Sequence, residues 1–315
     1  MENDKRNLTF FGNGGTLFGI HLVNLFLGLI TLGIYFFWAR VKVRKYIWGQ
    51  LEFEGDRLSY HGTGLETLKG WLKALVIFGI PYFVVSQLPR LMGLGRVFVI
   101  VGGLFSVLLI MVFIPMATVG SRRYRLSRTA WRGIRFSFQK VWREYVPIFL
   151  RGMILNLLTL GFYSPYYQAR RDKFLIANSY VGNRNFEYDG NGDDLFGSYF
   201  LSLVLAIPTL FFSLFWYHVK RTRYVWDHTT FGDARFECMI TFGGMFWLYL
   251  GNFLMVLFTI GFAYPWAQVR SINYLLTNLS LNGPVDLETI QQDAQSVNAT
   301  GEELSSFLDL DFDLG

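Results

Sequence analysis

The 315-residue chain is 52% hydrophobic and 18% aromatic, with only 17% charged residues and a formal net charge of +6. A soluble domain carries about 25% charged residues, so this composition points to an integral membrane protein and away from an ordinary soluble enzyme. The single cysteine, Cys238, excludes an internal disulfide and any CxxC redox or zinc arrangement.

The N-terminal stretch MENDKRNLTFFGNGG has no charged n-region, short apolar core and A-x-A site of the kind a cleavable signal needs. The first apolar run is therefore expected to stay as structure. Roughly 20 apolar residues cross a hydrocarbon core as a helix, which predicts six transmembrane helices over 16–38, 68–88, 97–119, 145–167, 196–217 and 245–267. None of these runs has the alternation of a membrane barrel strand. The expected fold is an all-α polytopic bundle, one transmembrane domain over residues 1–283, followed by an acidic tail over 284–315.

Polar segments separate the apolar runs. In KYIWGQLEFEGDRLSYHGTG (45–64), Leu51, Phe53, Leu58 and Tyr60 alternate with polar residues around a turn, which predicts a short two-stranded hairpin at the membrane surface. SYVGNRNFEYDGNG (179–192) has the same build.

One phrase recurs three times: TLGIYFFWARVKVRKY (31–46), TLGFYSPYYQARRDKF (159–174) and TIGFAYPWAQVRSINY (259–274). Alignment stacks Thr31, Thr159 and Thr259, then Gly33, Gly161 and Gly261, then Trp38, Tyr166 and Trp266. If all six runs cross, the equivalent units face opposite ways, a 3+3 inverted pseudo-repeat of the sort found in many secondary transporters. Trp38 and Trp266 are then interfacial anchors. Lys and Arg total 17 in the segments after the first, third and fifth runs and 9 on the other side, which places the former in the cytoplasm and both termini outside. The closing segment PVDLETIQQDAQSVNATGEELSSFLDLDFDLG carries eight acidic residues and no Lys or Arg, so it is either a solvated tail or a docking segment for a basic loop or a partner protein.

These residues together resemble the DUF898 (YjgN-like) family of bacterial inner-membrane proteins. The resemblance rests on TLGIYFFWARVKVRKYIW and its two echoes, the HTTFGDARF segment and the LDLDFDLG end, and covers nearly the whole chain. It implies a multi-pass protein of the bacterial cell inner membrane, with no established activity or substrate. Tyr166 and Tyr167 stand where the family's Trp-Ala pair is expected.

No HExxH, GxxxxGK[ST] or GxSxG motif occurs, and no run has an Asp or Glu at its middle. No catalytic residue, metal site or cofactor is expected, and nothing points to nucleic acid. The candidate polar positions are Asn24, Asn156 and Asn252, which precede the repeated threonines on the same run, together with His21. Their amides and hydroxyls either hold helices together or, with Gly33, Gly161 and Gly261, line a path for a small solute. Arg40, Lys42, Arg44 and Lys45, and Arg122, Arg123 and Arg125, form basic clusters beside apolar runs and suit anionic lipid headgroups. Two functions are therefore expected: a small-solute permease or channel, or a non-transporting scaffold that binds anionic lipid and, through its tail, a membrane protein partner or a second copy.

Overall fold

A computed structural model describes residues 5–285, 287 and 290–292; the rest of the expected acidic tail lies outside the described residues. Among the described residues the fold is not an all-α bundle. Ten strands close into an antiparallel barrel: β1 Lys5–Phe10, β2 Leu51–Phe53, β3 Asp56–Tyr60, β4 Thr129–Trp131, β5 Ile134–Phe138, β6 Ser179–Val181, β7 Arg184–Tyr188, β8 Thr229–Phe231, β9 Ala234–Cys238 and β10 Leu279–Asn282. Each strand pairs with its neighbours in the chain, and β1 joins the two ends by pairing Leu8 with Phe53 and Asn7 with Ser280. The hairpin expected over 51–60 does form, but it is one segment of this barrel and not an isolated surface loop.

The barrel is built from local signals. Phe136 and Phe138, like Phe236 and Cys238, alternate with polar residues, and one face of each strand turns inward. Two-residue turns join β2 to β3 and β4 to β5, with Glu54 and Gly55 at φ 52° and 78° and Arg132 and Gly133 at 52° and 77°. Two successive positive φ angles give a twist that matches paired strands. Trp131, Val181, Phe231, Phe236 and Leu281 meet inside in one apolar cluster. Closure leaves no unpaired strand edge.

Between the strand pairs rise helix pairs: α1 Gly14–Ile30 with α2 Phe36–Gly49, α3 Gly64–Leu91 with α4 Arg96–Ser127, α5 Trp142–Leu158 with α6 Ser164–Ala177, α7 Asp193–Val204 with α8 Phe212–Asp227, and α9 Phe242–Phe258 with α10 Tyr264–Thr277. Successive pairs pack side by side, and α10 returns to α1, so the helices form a ring like the strands. Aromatic residues fix these seams. The Trp266 ring lies where a Cβ on Gly14 would stand, and Trp38 does the same at Gly64. Both tryptophans expected as interfacial anchors therefore pack against the neighbouring helix pair.

The six-crossing reading is corrected by this arrangement. Four of the six runs, 16–38, 145–167, 196–217 and 245–267, each pass through a helix, a tight turn and the start of a returning helix. Among the described residues, only α3 and α4, which contain the runs 68–88 and 97–119, are long and apolar enough to cross a membrane. In α3, Pro81 lies between two π-helical stretches, Leu75–Gly79 and Phe83–Gln87, where looser turns accommodate its missing N–H.

The repeated phrase is the turn itself. At the first copy, Gly33 N–H donates to Gly28 O at 2.7 Å, and Leu32 and Gly33 take φ 50° and 89°. That is a Schellman-type helix end. The Thr31 hydroxyl donates to Leu27 O at 2.7 Å and accepts from Tyr35 N–H at 3.0 Å, so one side chain serves the end of α1 and the start of α2. Thr159 and Thr259 make the same pair of bonds. A fourth turn, at Thr209, repeats the geometry with Phe211 at φ 67° in place of glycine. The sequence comparison missed it because only Thr-Leu survives there.

A Cβ on Gly33 or Gly261 would meet nothing within 4 Å, so the requirement for glycine comes from the backbone alone. Left-handed backbone costs an L-residue about 1–2 kcal/mol. Gly33→Ala and Gly261→Ala are each expected to destabilise by about that amount, whereas Phe211→Gly relieves strain at its turn. Thermal unfolding of detergent-solubilised variants checks both signs.

After β10 the chain crosses the open end of the barrel. Val285 and Ile290 are buried against the inner cluster, with Leu287 packed beside them. Arg6 donates to Val285 O at 3.0 Å, Asn183 N–H to Gln291 O at 3.0 Å, and Arg135 N–H to Gln292 Oε1 at 2.7 Å. Gly182 leaves room for this strap, since a Cβ there would stand 2.2 Å from Gln291 O. The start of the expected tail thus closes the barrel end.

Candidate functional site

A groove of about 1040 Å³ lies along α1, α2 and α10. Its walls exist because the sequence places small residues where the helices face one another. Gly28, Gly33 and Ala39 line it, and a Cβ on Gly28 or Gly33 would still meet open space. Leu25, Leu29, Leu32 and Phe36 make its upper part apolar, and Arg40, Arg44 and Trp48 continue it toward the barrel. From Phe36 to Trp48 the helical rise gives a length of about 18 Å.

Its polar equipment is sparse and specific. His21 Nε2, Asn24 Oδ1 and Gln268 Oε1 are buried without a hydrogen bond of good geometry among the described residues, and His21 lies within interaction range of Gln268. All three residues line the groove. His21 also stands edge-on to Tyr264, with centroids 5.8 Å apart. Asn24 Nδ2 reaches Ala39 O at 3.4 Å, which ties α1 to α2 and turns its oxygen away from that bond. Arg40 lies over the Phe36 ring at 4.1 Å, and Arg44 donates to the Tyr60 hydroxyl at 3.1 Å. Packing holds both guanidiniums beside the groove at a defined height. A buried amide or imidazole without a partner costs on the order of 1–3 kcal/mol, which a bound ligand or water would offset.

The structure therefore gathers His21, Asn24, Gly33, Arg40 and Arg44 of the sequence candidates at one place. The others lie elsewhere. Asn156 accepts from the Ser164 hydroxyl at 3.0 Å within its own helix pair, and Asn252 donates to Ala267 O at 3.3 Å and Ser271 Oγ at 3.0 Å within its own. Thr31, Thr159 and Thr259 are engaged in the turns, and Gly161 and Gly261 provide their positive φ. Lys42 stands over Tyr35 at 5.2 Å, and Lys45 is on α2 but not among the groove residues. At the end of α4, Arg122 donates to Ser179 Oγ at 3.0 Å and Arg125 to Ser121 O at 3.2 Å, with Arg123 on the same turn. Gln268, Tyr264 and Gly28 escaped the sequence reading. The one available signal was the glutamine column of the phrases, where Gln168 aligns with Gln268.

Among the described residues no group of three or more His, Cys, Asp or Glu side chains is arranged to hold a metal.

A family model described as "Bacterial protein of unknown function (DUF898)" matches residues 5–216 and 198–307. The chain is 34% identical over 138 residues to the inner membrane protein YjgN of Escherichia coli K12, a match covering 44% of this chain and 32% of that protein. It is 32% identical over 185 residues to YjgN of Escherichia coli O157:H7, covering 57% of this chain and 42% of that protein. The chain thus spans less than half the length of these relatives. No solved structure matches it.

Proposed function

The chain belongs to the DUF898 family, and from that premise we propose that it is a bacterial inner-membrane protein that holds an anionic lipid in the groove of α1, α2 and α10. The relatives' name supports the location. The observation that carries the ligand class is the groove's gradient, apolar at Leu29, Leu32 and Phe36 and cationic at Arg40 and Arg44. An acyl chain fits the upper part while the phosphate meets the two guanidiniums, each favouring anionic lipid by about 1 kcal/mol near the surface.

The helix pairs fit a membrane in a second respect. In hydrocarbon every backbone polar group needs an internal partner, and the threonine turns supply one for both helices they join. Four pairs enter and return by the barrel's side, and α3 and α4 reach deeper. The small-solute permease reading draws on the same groove through His21, Asn24 and Gln268. It loses the support of the repeated threonines, whose hydroxyls serve the turns.

Gly28→Leu tests the proposal. It fills the groove without a clash, because the glycine Cβ direction is open, and leucine favours a helix over glycine by about 0.8 kcal/mol. The variant is expected to fold and to lose co-purified phosphatidylglycerol by mass spectrometry, as is Arg40→Gln with Arg44→Gln. Retention of the wild-type lipid complement by both would defeat the reading.

A further inference from the structure

A second polar cluster sits between the third and fourth helix pairs, on different elements from the groove. Asp172 of α6 is 8% exposed. Its Oδ1 accepts from Arg171 Nη2 at 3.1 Å, and its Oδ2 accepts from Arg221 of α8. Arg122 of α4, bonded to Ser179, is close enough for Asp172 to act on its charge. Two guanidiniums therefore hold one carboxylate, and a third lies within its electrostatic range. The carboxylate's two oxygens are already occupied by Arg171 and Arg221, so the excess positive charge is not neutralised within the cluster.

Around this pair three donors point at nothing. Arg221 Nε, Tyr188 Oη and Tyr217 Oη are buried and have no hydrogen-bond partner among the described residues. Tyr188 and Tyr217 are 5% and 7% exposed, and both lie within electrostatic reach of Asp172 and Arg221. Burial, with Asp172 beside it, raises the Tyr188 pKa above its ordinary range, so this hydroxyl stays protonated and able to donate. Each donor left unpaired has given up its hydration without return, most severely for the charged group. Their positions come from β7 and α8, so long-range packing has brought them together. Arg171 is one-third exposed and links the cluster to solvent.

The geometry points to an oxyanion site in which Tyr188 Oη, Tyr217 Oη and Arg221 Nε donate to a phosphate group, with Arg122 and Arg171 supplying the surplus charge. Phosphate suits this set because it accepts several hydrogen bonds at once, and charge-assisted donors bind it roughly twice as strongly as neutral ones do. The same chemistry is offered by inorganic phosphate and by a lipid headgroup. Asp172 acts here as a positioning residue that orients Arg221.

The full chain in phosphatidylcholine nanodiscs, titrated with inorganic phosphate against chloride at constant ionic strength, tests the site. The thermal midpoint of the wild type is expected to rise by about 3 °C at saturation, the shift that a ligand well above its Kd produces in a chain of this size. The Tyr188→Phe, Tyr217→Phe double variant is expected to keep the wild-type midpoint within about 2 °C without phosphate, because it removes unpaired hydroxyls at little loss of volume, and to lose the rise. In phosphatidylglycerol nanodiscs a rise that is already present and insensitive to added phosphate assigns the site to a headgroup. A response unchanged from phosphatidylcholine assigns it to soluble phosphate. Absence of a phosphate-specific rise in the wild type, or its persistence in the double variant, overturns the site and leaves ordered water as the partner of these donors.

Discussion

Gly102→Leu is expected to split α3 from α4 and to remove the stable fold of the longest helix pair, while Gly103→Ala beside it is expected to be neutral or mildly stabilising. A Cβ on Gly102 would stand 2.1 Å from Val85 O and 3.1 Å from Val85 C, both backbone atoms that cannot step aside. Gly102 and Ser106 are buried one turn apart on α4, and Gly102 lies against Val85 and the buried Ser86 of α3. Small residues at this spacing let membrane helices approach closely, so that dispersion contacts hold them together where no hydrophobic force does. Overpacking a close contact costs about 1–3 kcal/mol, and a leucine against backbone exceeds that range. A Cβ on Gly103 meets nothing within 4 Å, so alanine there gains roughly 0.8–1.0 kcal/mol of helix propensity. Unfolding midpoints of the two variants in one detergent are the check. Equal stability of both would remove the contact from the account.

Four aspartates at the turns, Leu32→Asp, Leu160→Asp, Leu210→Asp and Ile260→Asp, are expected to expel the helix pairs from the bilayer. These side chains are 94%, 87%, 79% and 89% exposed although each is a large hydrophobe. Single exposed leucines need no explanation, but the same position exposed in four helix pairs is an apolar surface that needs a solvent. At the centre of a membrane helix an aspartate costs about 2.5–3.5 kcal/mol where a leucine gains about 0.5. The quadruple variant therefore loses on the order of 12 kcal/mol, enough to abolish insertion of the four shorter pairs. Protease treatment of membrane vesicles from the barrel side should cut the variant within 14–49 and leave wild type intact. A protected variant would place the turns in water.

Membrane residence and two of the strand pairs were open to local reading, and for a physical reason. Apolar content and aromatic frequency act through transfer free energy, which sums over residues regardless of partner. The hairpin at Leu51–Tyr60 was legible because alternation and a Glu54-Gly55 turn are properties of ten adjacent residues. The repeated Thr-x-Gly was visible too, but its meaning was not. A helix ending at a surface and one reversing in hydrocarbon need the same glycine, so hydropathy counted both limbs of a helix pair as one crossing.

The candidate site was half legible. His21, Asn24 and the basic residues of α2 stood out as polar groups beside apolar runs, yet Gln268 lies 244 positions from Asn24 in the numbering and meets it only because α10 returns to α1. Asn24 and Asn252 occupy like positions in their phrases. Asn252 has both Ala267 and Ser271 for its amide, whereas Asn24 bonds Ala39 alone and faces the groove with Gln268.

Residue chemistry alone determined that this chain seeks a membrane, that hairpins form at 45–64 and 179–192, and that the repeated Thr-x-Gly marks a helix end, since each follows from side-chain transfer or local sterics. Closure of ten strands into a barrel, the ring of helix pairs, the strap over the barrel end and both polar sites were settled only by contacts distant in sequence. Three-to-six-residue strands have too little local free energy to select partners, and the choice belongs to the packed whole.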